Sequence, residues 1–188
     1  MKIIGYQGIE GSNSEEAARL LAKKLDIKDY LLLPLVSSLN VLTCVETEKT
    51  DYGVIAIRNN HGGSVKESID ALYNSPLHKL DSITISIHHF LYTKDVDVRL
   101  EDINYISSHP QAFMQCKNNL NKIFPNIELV PDEDTATAAR KLGNGIFSRQ
   151  TAVLCRKNAG EMNHLFLSDS NLEDNQDNKT EFEIYIKK

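Results

Sequence analysis

The sequence predicts an α/β fold in two lobes, built on mainly parallel sheets flanked by helices, with a cleft between the lobes. Three observations carry that prediction. Short apolar runs alternate with amphipathic stretches over residues 1–72, a βαβαβα order that implies parallel strands joined by crossover helices. A second run of the same kind follows over residues 105–156. Between them, residues 82–92 form a long alternating segment. At about 3.3 Å per residue that segment could span roughly 35 Å, enough to pass from one lobe to another. Late strands are expected at residues 165–167 and 182–186. The expected division is therefore 1–78 plus 163–188 for the first lobe and 79–162 for the second.

Residues 2–6 read as the first strand. Gly8 and Gly11 mark a turn, and Ser12 with Glu15 fits a capping box that opens a helix. Ala17 or Ala18, Leu21 and Leu25 share one face of that helix; Lys23 and Lys24 lie on the other. Residues 30–33 form a second strand, and Ser37 or Ser38 caps a helix carrying Val41, Leu42 and Val45. Residues 53–57 are a nearly unbroken apolar run, as in a strand covered on both faces. Arg58, Asn59, Asn60 and His61 sit where that strand must end. Gly62 and Gly63 then break the direction, and Val65, Ile69 and Leu72 recur at helical spacing. Ligands of open α/β sheets bind outside the carboxyl ends of the strands, so these four polar residues are the first site candidate. An ordinary capped turn is the competing explanation.

In the central segment Ile83, Ile85, Ile87, His89 and Leu91 share one face; Thr84, Ser86 and His88 share the other. His89 on that apolar face reads as a core histidine. Residues 105–107 form a strand, and Ser108-His109-Pro110 starts a helix with proline at its first position. Phe113, Cys116 and Leu120 continue it. Residues 127–130 form another strand, and Asp132 or Asp134 caps a helix with Ala136, Ala139 and Leu142. Residues 149–156 read as a short helix. Residues 168–178 are an acidic, asparagine-rich loop.

The bulk numbers narrow the function. A net charge of −5 with no basic stripe argues against nucleic acid or an anionic membrane as partner. No apolar stretch approaches the roughly 20 residues of a membrane helix, and the first residues lack a signal-peptide core, so a cytoplasmic location is expected. Cys44, Cys116 and Cys155 are odd in number and widely spaced, which suits buried reduced thiols better than a disulfide framework or zinc site. There is no Ser/His/Asp triad, metal-spaced histidine set or Walker loop, so no metal and no cofactor are expected. A small-molecule ligand held by helix N-termini suits such a cleft best.

Several stretches, in order, resemble one family. Residues 8–18, Gly-Ile-Glu-Gly-Ser-Asn-Ser-Glu-Glu-Ala-Ala, resemble the N-terminal glycine and hydroxyl motif of prephenate dehydratases. Residues 54–72 are similar to that family's strand, loop and helix around Pro-x-Glu-Asn-Ser. Residues 83–91, with His89, look like its apolar strand ending in His and Leu. Residues 108–116, Ser-His-Pro-Gln-Ala-Phe-Met-Gln-Cys, match the family almost residue for residue and are the most specific stretch. Residues 134–139 resemble its Thr-Ala-x-Ala-Ala motif, and Asn178-Lys179-Thr180-Glu181-Phe182 falls where the family has Asn-x-Thr-Arg-Phe.

The resemblance implies a fold like type II periplasmic binding proteins, with the cleft as active site. It implies conversion of prephenate to phenylpyruvate with loss of carbon dioxide and water, in phenylalanine biosynthesis. It implies a dimer or tetramer, and a chain without the C-terminal ACT domain that many members carry. Thr180 would carry the catalytic hydroxyl; taken alone it reads as the β-branched start of a strand. The dianionic substrate would be held at helix N-termini and strand ends by Ser12, Ser14, Arg58, Asn59, Asn60, Ser108 and Thr135, the serine-capped helices being better suited than aspartate-capped ones. Two departures are coupled. Arg58 stands for the family's Glu, and Glu181 for its Arg. The expectation is that the two face each other as a cleft pair whose polarity has been inverted. Asn60 replaces a Ser, and Ser12 a Thr. Two other functions compete with the dehydratase: a non-aromatising prephenate decarboxylase, and a non-catalytic acid-binding module of the same fold.

Overall fold

In the computed structural model of the chain, residues 1–187 are described. The first unit opens with β1 (Lys2–Tyr6), α1 (Asn13–Lys24), β2 (Tyr30–Pro34), α2 (Ser38–Glu46), β3 (Tyr52–Asn59), β4 (Gly63–Ser64), α3 (Lys66–Leu72) and β5 (His78–Ser86). The second unit holds β6 (Phe90–Thr93), β7 (Tyr105–Ser108), α4 (Pro110–Gln115), α5 (Lys117–Ile123) and β8 (Glu128–Pro131). It continues with α6 (Thr135–Gly143), β9 (Thr151–Cys155), α7 (Lys157–Met162) and β10 (Phe166–Asp169). The chain then returns to the first unit as β11 (Lys179–Ile186). The units divide at 87/88 and 177/178, where the sequence suggested 78/79 and 162/163. The reason is a pairing invisible in the sequence. β5 and β11 are antiparallel along their whole length, which draws both into the first unit.

The first sheet runs β2-β1-β3-β11-β5, with β4 paired to the end of β3. β1 is parallel to β2 and β3, but β11 runs antiparallel between β3 and β5, so the sheet is mixed rather than mainly parallel. Its two faces bury separate cores. Ile4, Tyr6, Val54, Ile85, Phe182 and Ile184 pack under the Ala17, Ala18, Leu21 and Ala22 face of α1. On the other face Ile55 and Tyr185 pack against Val41 and Leu42 of α2. The alternation of Ile83, Ile85 and Ile87 is kept as expected, all three facing the α1 core.

The second sheet runs β10-β6-β9-β7-β8 and is also mixed. β7 is parallel to β8 and β9; β6 is antiparallel to β9 and β10. Residues 149–156 are not a helix: Thr151–Cys155 is the central strand β9, buried at every position. A short continuous apolar run suits either element, and here the flanking strands decide. The single helix expected after Pro110 breaks at Cys116 into α4 and α5. The carboxylate of Asp174 accepts from the Asn118 and Asn119 N–H groups at 2.9 Å each and caps the second piece. The long segment 82–92 is likewise two strands, β5 and β6, one in each unit.

One close approach is testable. Gly160 of α7 lies against the buried ring of Tyr92, and a methyl group there would overlap the ring. Gly160→Ala should cost about 1–3 kcal/mol by overpacking, read from urea unfolding followed by circular dichroism. An unchanged midpoint would contradict this packing.

Candidate active site

Asn59 organises the carboxyl end of β3. It is 8% exposed. The His61 and Gly62 N–H groups donate to its Oδ1 at 2.9 and 2.8 Å, closing a turn on the side chain and fixing which amide atom is oxygen. Nδ2 therefore faces three acceptors: Asn178 Oδ1 at 2.8 Å, the Lys179 carbonyl at 3.0 Å and Thr180 Oγ1 at 2.9 Å. An amide nitrogen has two hydrogens, so they are shared among the three. Thr180 accepts in this contact, and its own hydroxyl proton is left for another acceptor. Asn60 adds a second stitch. Its N–H donates to the Lys179 carbonyl at 3.0 Å, and the Lys179 N–H donates to its Oδ1 at 2.8 Å.

Strand alternation alone would keep Asn59 away from Thr180. On β3, Val54 and Ala56 face the α1 core, while Ile55 and Ile57 face the α2 core; Asn59 would follow Ile57. On β11, Phe182 and Ile184 face the α1 core, and Thr180 is in phase with them. A bulge resolves the conflict. Arg58 pairs with Glu181 and Ala56 with Phe182, so Ile57 is an extra residue in β3. The alternation resets, and Asn59 turns to the face of Thr180.

The same reset carries Arg58 and Glu181 to the opposite face, with Glu183 and Tyr185. The two are cross-strand partners, but no ion pair joins them among the described residues. Arg58 is exposed, and an exposed pair gains too little to hold two solvated side chains together. Glu183, which bonds Lys79 and the Tyr185 hydroxyl, is the paired carboxylate of that face. Arg58 and Glu181 thus stand outside the Asn59–Thr180 network.

The helix N-termini are partly filled by the protein's own groups. At α1, Ser12 Oγ accepts from the Glu15 N–H at 3.3 Å, and the buried Glu15 carboxylate accepts from the Gly11 N–H at 2.6 Å and pairs with Arg19. Ser14, the second residue of α1, is 7% exposed. At α6, Asp134 Oδ1 accepts from the Ala136 and Thr137 N–H groups at 2.8 Å each, and half-buried Thr135 takes no part in that cap. Ser108 is fully buried, and its hydroxyl donates to the Leu154 carbonyl at 2.5 Å. His109 caps α4, its Nδ1 accepting from the Gln111 N–H at 3.1 Å. The structure therefore joins Asn59, Asn60 and Thr180 in one network. Ser12 and Ser14 stand at the start of α1, after the carboxyl end of β1, the parallel neighbour of β3, and make no hydrogen bond to that network among the described residues, while Ser108 and Thr135 belong to the second unit.

Two residues escaped the sequence reading. Asn178 is 2% exposed; its Oδ1 bonds Asn59, and its Nδ2 has no hydrogen-bond partner among the described residues. Gln115 Oε1 lies 2.8 Å from Nε2 of buried His89, whose backbone N–H donates to the Glu173 carboxylate at 2.9 Å. Both stand inside quoted motifs, and that was the available signal. The cavity of about 600 Å³ in the second unit, lined by Leu100, Ile103, Tyr105, Phe124 and Glu128 among others, is at the amino ends of β7 and β8, the wrong end for a ligand site of this fold class. Burial pushes the Cys116 and Cys155 thiols up, so they stay protonated at neutral pH.

Burial also holds the His89 imidazole below its usual value. With the folded pKa depressed, the unfolded chain takes up the proton first as pH falls below about 6.5, so stability should drop there. His89→Gln should give a shallower dependence of unfolding free energy on pH between 7 and 5; an unchanged slope would contradict a neutral, buried His89.

A family profile described as prephenate dehydratase matches residues 4–188. An arogenate dehydratase/prephenate dehydratase of Arabidopsis thaliana is 30% identical over 179 residues, covering 95% of this chain and 45% of that protein. A bifunctional chorismate mutase/prephenate dehydratase of Enterobacter agglomerans is 29% identical over 185 residues, covering 98% and 47%. The chain spans about half the length of these curated relatives. Among solved structures, a prephenate dehydratase of Arthrobacter aurescens in complex with L-Phe superposes with a TM-score of 0.86 at 24% identity, over 99% of this chain and 60% of that one.

Proposed function

The chain belongs to the prephenate dehydratase family, and we propose that it converts prephenate, or its amino analogue arogenate, into the aromatic product with loss of carbon dioxide and water. The observation that supports this most is the Thr180 hydroxyl, buried and held by the Asn59 amide with its proton uncommitted.

The reaction needs little chemistry from the protein. The bond between the ring and its carboxylate breaks, and the electron pair enters the ring as carbon dioxide leaves. The ring hydroxyl departs from the opposite carbon and takes up a proton to become water. Aromatisation supplies the driving force. The leaving oxygen gains negative charge as its bond to carbon stretches, and a fixed donor stabilises that charge without reorganising. Thr180 is that donor. It is too weak an acid to give its proton away outright, so it donates a hydrogen bond and the proton comes from solvent. Asn59 holds the Thr180 oxygen as an acceptor, which points the hydroxyl hydrogen away from the amide.

Arg58 and Glu181 do not enter this step. Their inverted charges lie on the other sheet face, so they leave the dehydratase reading intact. A homo-oligomer and a cytoplasmic location complete the proposal. Three free thiols suit a reducing compartment.

The experiment is product identification from prephenate and from arogenate, with Thr180 variants. Thr180→Val keeps the shape and removes the hydroxyl; kcat should fall about 10²–10³-fold with KM little changed. Thr180→Ser should retain most of the activity. Turnover unaffected by Thr180→Val would remove Thr180 from the mechanism. A decarboxylated but non-aromatic product would replace the dehydratase reading.

A further inference from the structure

The two sheets leave β2, β5, β8 and β10 as edge strands. Exposed edges invite pairing with another chain, and proteins normally blunt them with charges, prolines or bulges. Three of these edges are blunted: β5 carries Lys79 and Asp81, β8 carries Glu128, and β10 carries Asp169 and a register irregularity. β2, Tyr30-Leu-Leu-Leu-Pro34, has no charged residue and no bulge, and its one blunting residue, Pro34, stands at its last position. Leu31 is 51% exposed and Leu33 39% exposed. Just beyond, Val36 is 65% exposed and Leu39 60% exposed. Val36 also sits at φ 63°, a conformation that β-branched residues avoid.

We propose that β2 is the self-complementary interface through which two copies of this chain pair, strand against antiparallel strand about a two-fold axis at Leu32. The hydrogen-bond directions select that register. The Asp29 carbonyl accepts from the Lys2 N–H, and the Leu35 N–H donates to the Tyr6 carbonyl, so odd-numbered residues turn their backbone groups toward β1. Tyr30, Leu32 and Pro34 turn theirs outward. With the axis at Leu32, its N–H donates to the carbonyl of the partner's Leu32, and the reverse. The Tyr30 N–H donates to the carbonyl of the partner's Pro34. Every outward N–H finds an acceptor, and Pro34, which has none to offer, is an acceptor only.

The side chains fit the same axis. Tyr30 and Leu32 lean on the α1 core, so Leu31 and Leu33 are on the other face. In this register Leu31 faces the partner's Leu33, and Leu33 the partner's Leu31. Both exposed leucines gain an apolar cross-strand neighbour, and no charge meets a like charge. Val36 and Leu39 extend the apolar surface from the end of β2 to the first turn of α2. The occupant is thus a second copy, because the strand complements itself. This inference does not depend on the catalytic reading.

Sedimentation of the full chain across a concentration series tests it, with amide hydrogen exchange beside it. The wild type should dimerise, and the Tyr30 and Leu32 amides should gain protection as it does. L31K/L33K places like charges opposite one another twice and should weaken dimerisation at least about tenfold, with circular dichroism unchanged. L31K/L33E sets opposite charges across the axis and should recover much of that loss. A chain that stays monomeric, a dimer indifferent to L31K/L33K, or Tyr30 and Leu32 amides that exchange freely in the dimer would each overturn the proposal.

Discussion

A single extra residue in β3 brings Asn59 and Thr180 together, and the proposed chemistry depends on it. Without the bulge at Ile57, Asn59 would point to the α2 side of the sheet and Thr180 to the α1 side. With it, a buried amide meets a buried hydroxyl at 2.9 Å. The amide is oriented by two backbone N–H groups in the following turn, so the donor side is not free to rotate. Turn, bulge and cross-strand register together fix one hydrogen bond. That bond determines where the hydroxyl proton can go.

The same local geometry separates chemistry from charge. Arg58 and Glu181 flank the two key residues in sequence, and the sequence alone suggests that the two charges face each other. The sheet sorts the four residues onto opposite faces, one polar network beside the α1 core and one charged, solvated face beside Glu183 and Lys79. Inverting the charges at 58 and 181 therefore exchanges two groups that do not hold each other. At α1 and α6 the electrostatics are also local. Glu15 and Asp134 place carboxylates on backbone N–H groups that a substrate anion would otherwise use.

Much of the fold was legible in the residues because propensity and tertiary context agreed. The caps at Ser12, Ser37 and Asp134, the proline start of α4 and the alternation of Ile83, Ile85 and Ile87 all report local physics. What failed was decided at long range. β9 became a strand because two strands flank it, and β11 reversed its direction relative to β3 after a whole unit had intervened. The site was legible as residue types, not as geometry. Thr180 and Asn59 stand in motifs, but their contact depends on a bulge that periodicity in β3 would have argued against. Asn178 was overlooked because the contact that marks it, Asn59 Nδ2 on its Oδ1, comes from a residue 119 positions away across the sheet.

The Asn59–Thr180 hydrogen bond is the claim on which the mechanism turns, and it can be measured apart from catalysis. A double-mutant cycle of Asn59→Ala and Thr180→Val on the free energy of urea unfolding isolates it. The account predicts a coupling of about 1 kcal/mol, with the double variant less destabilised than the sum of the singles. Strict additivity would show that the amide and the hydroxyl do not bond, and would contradict the account.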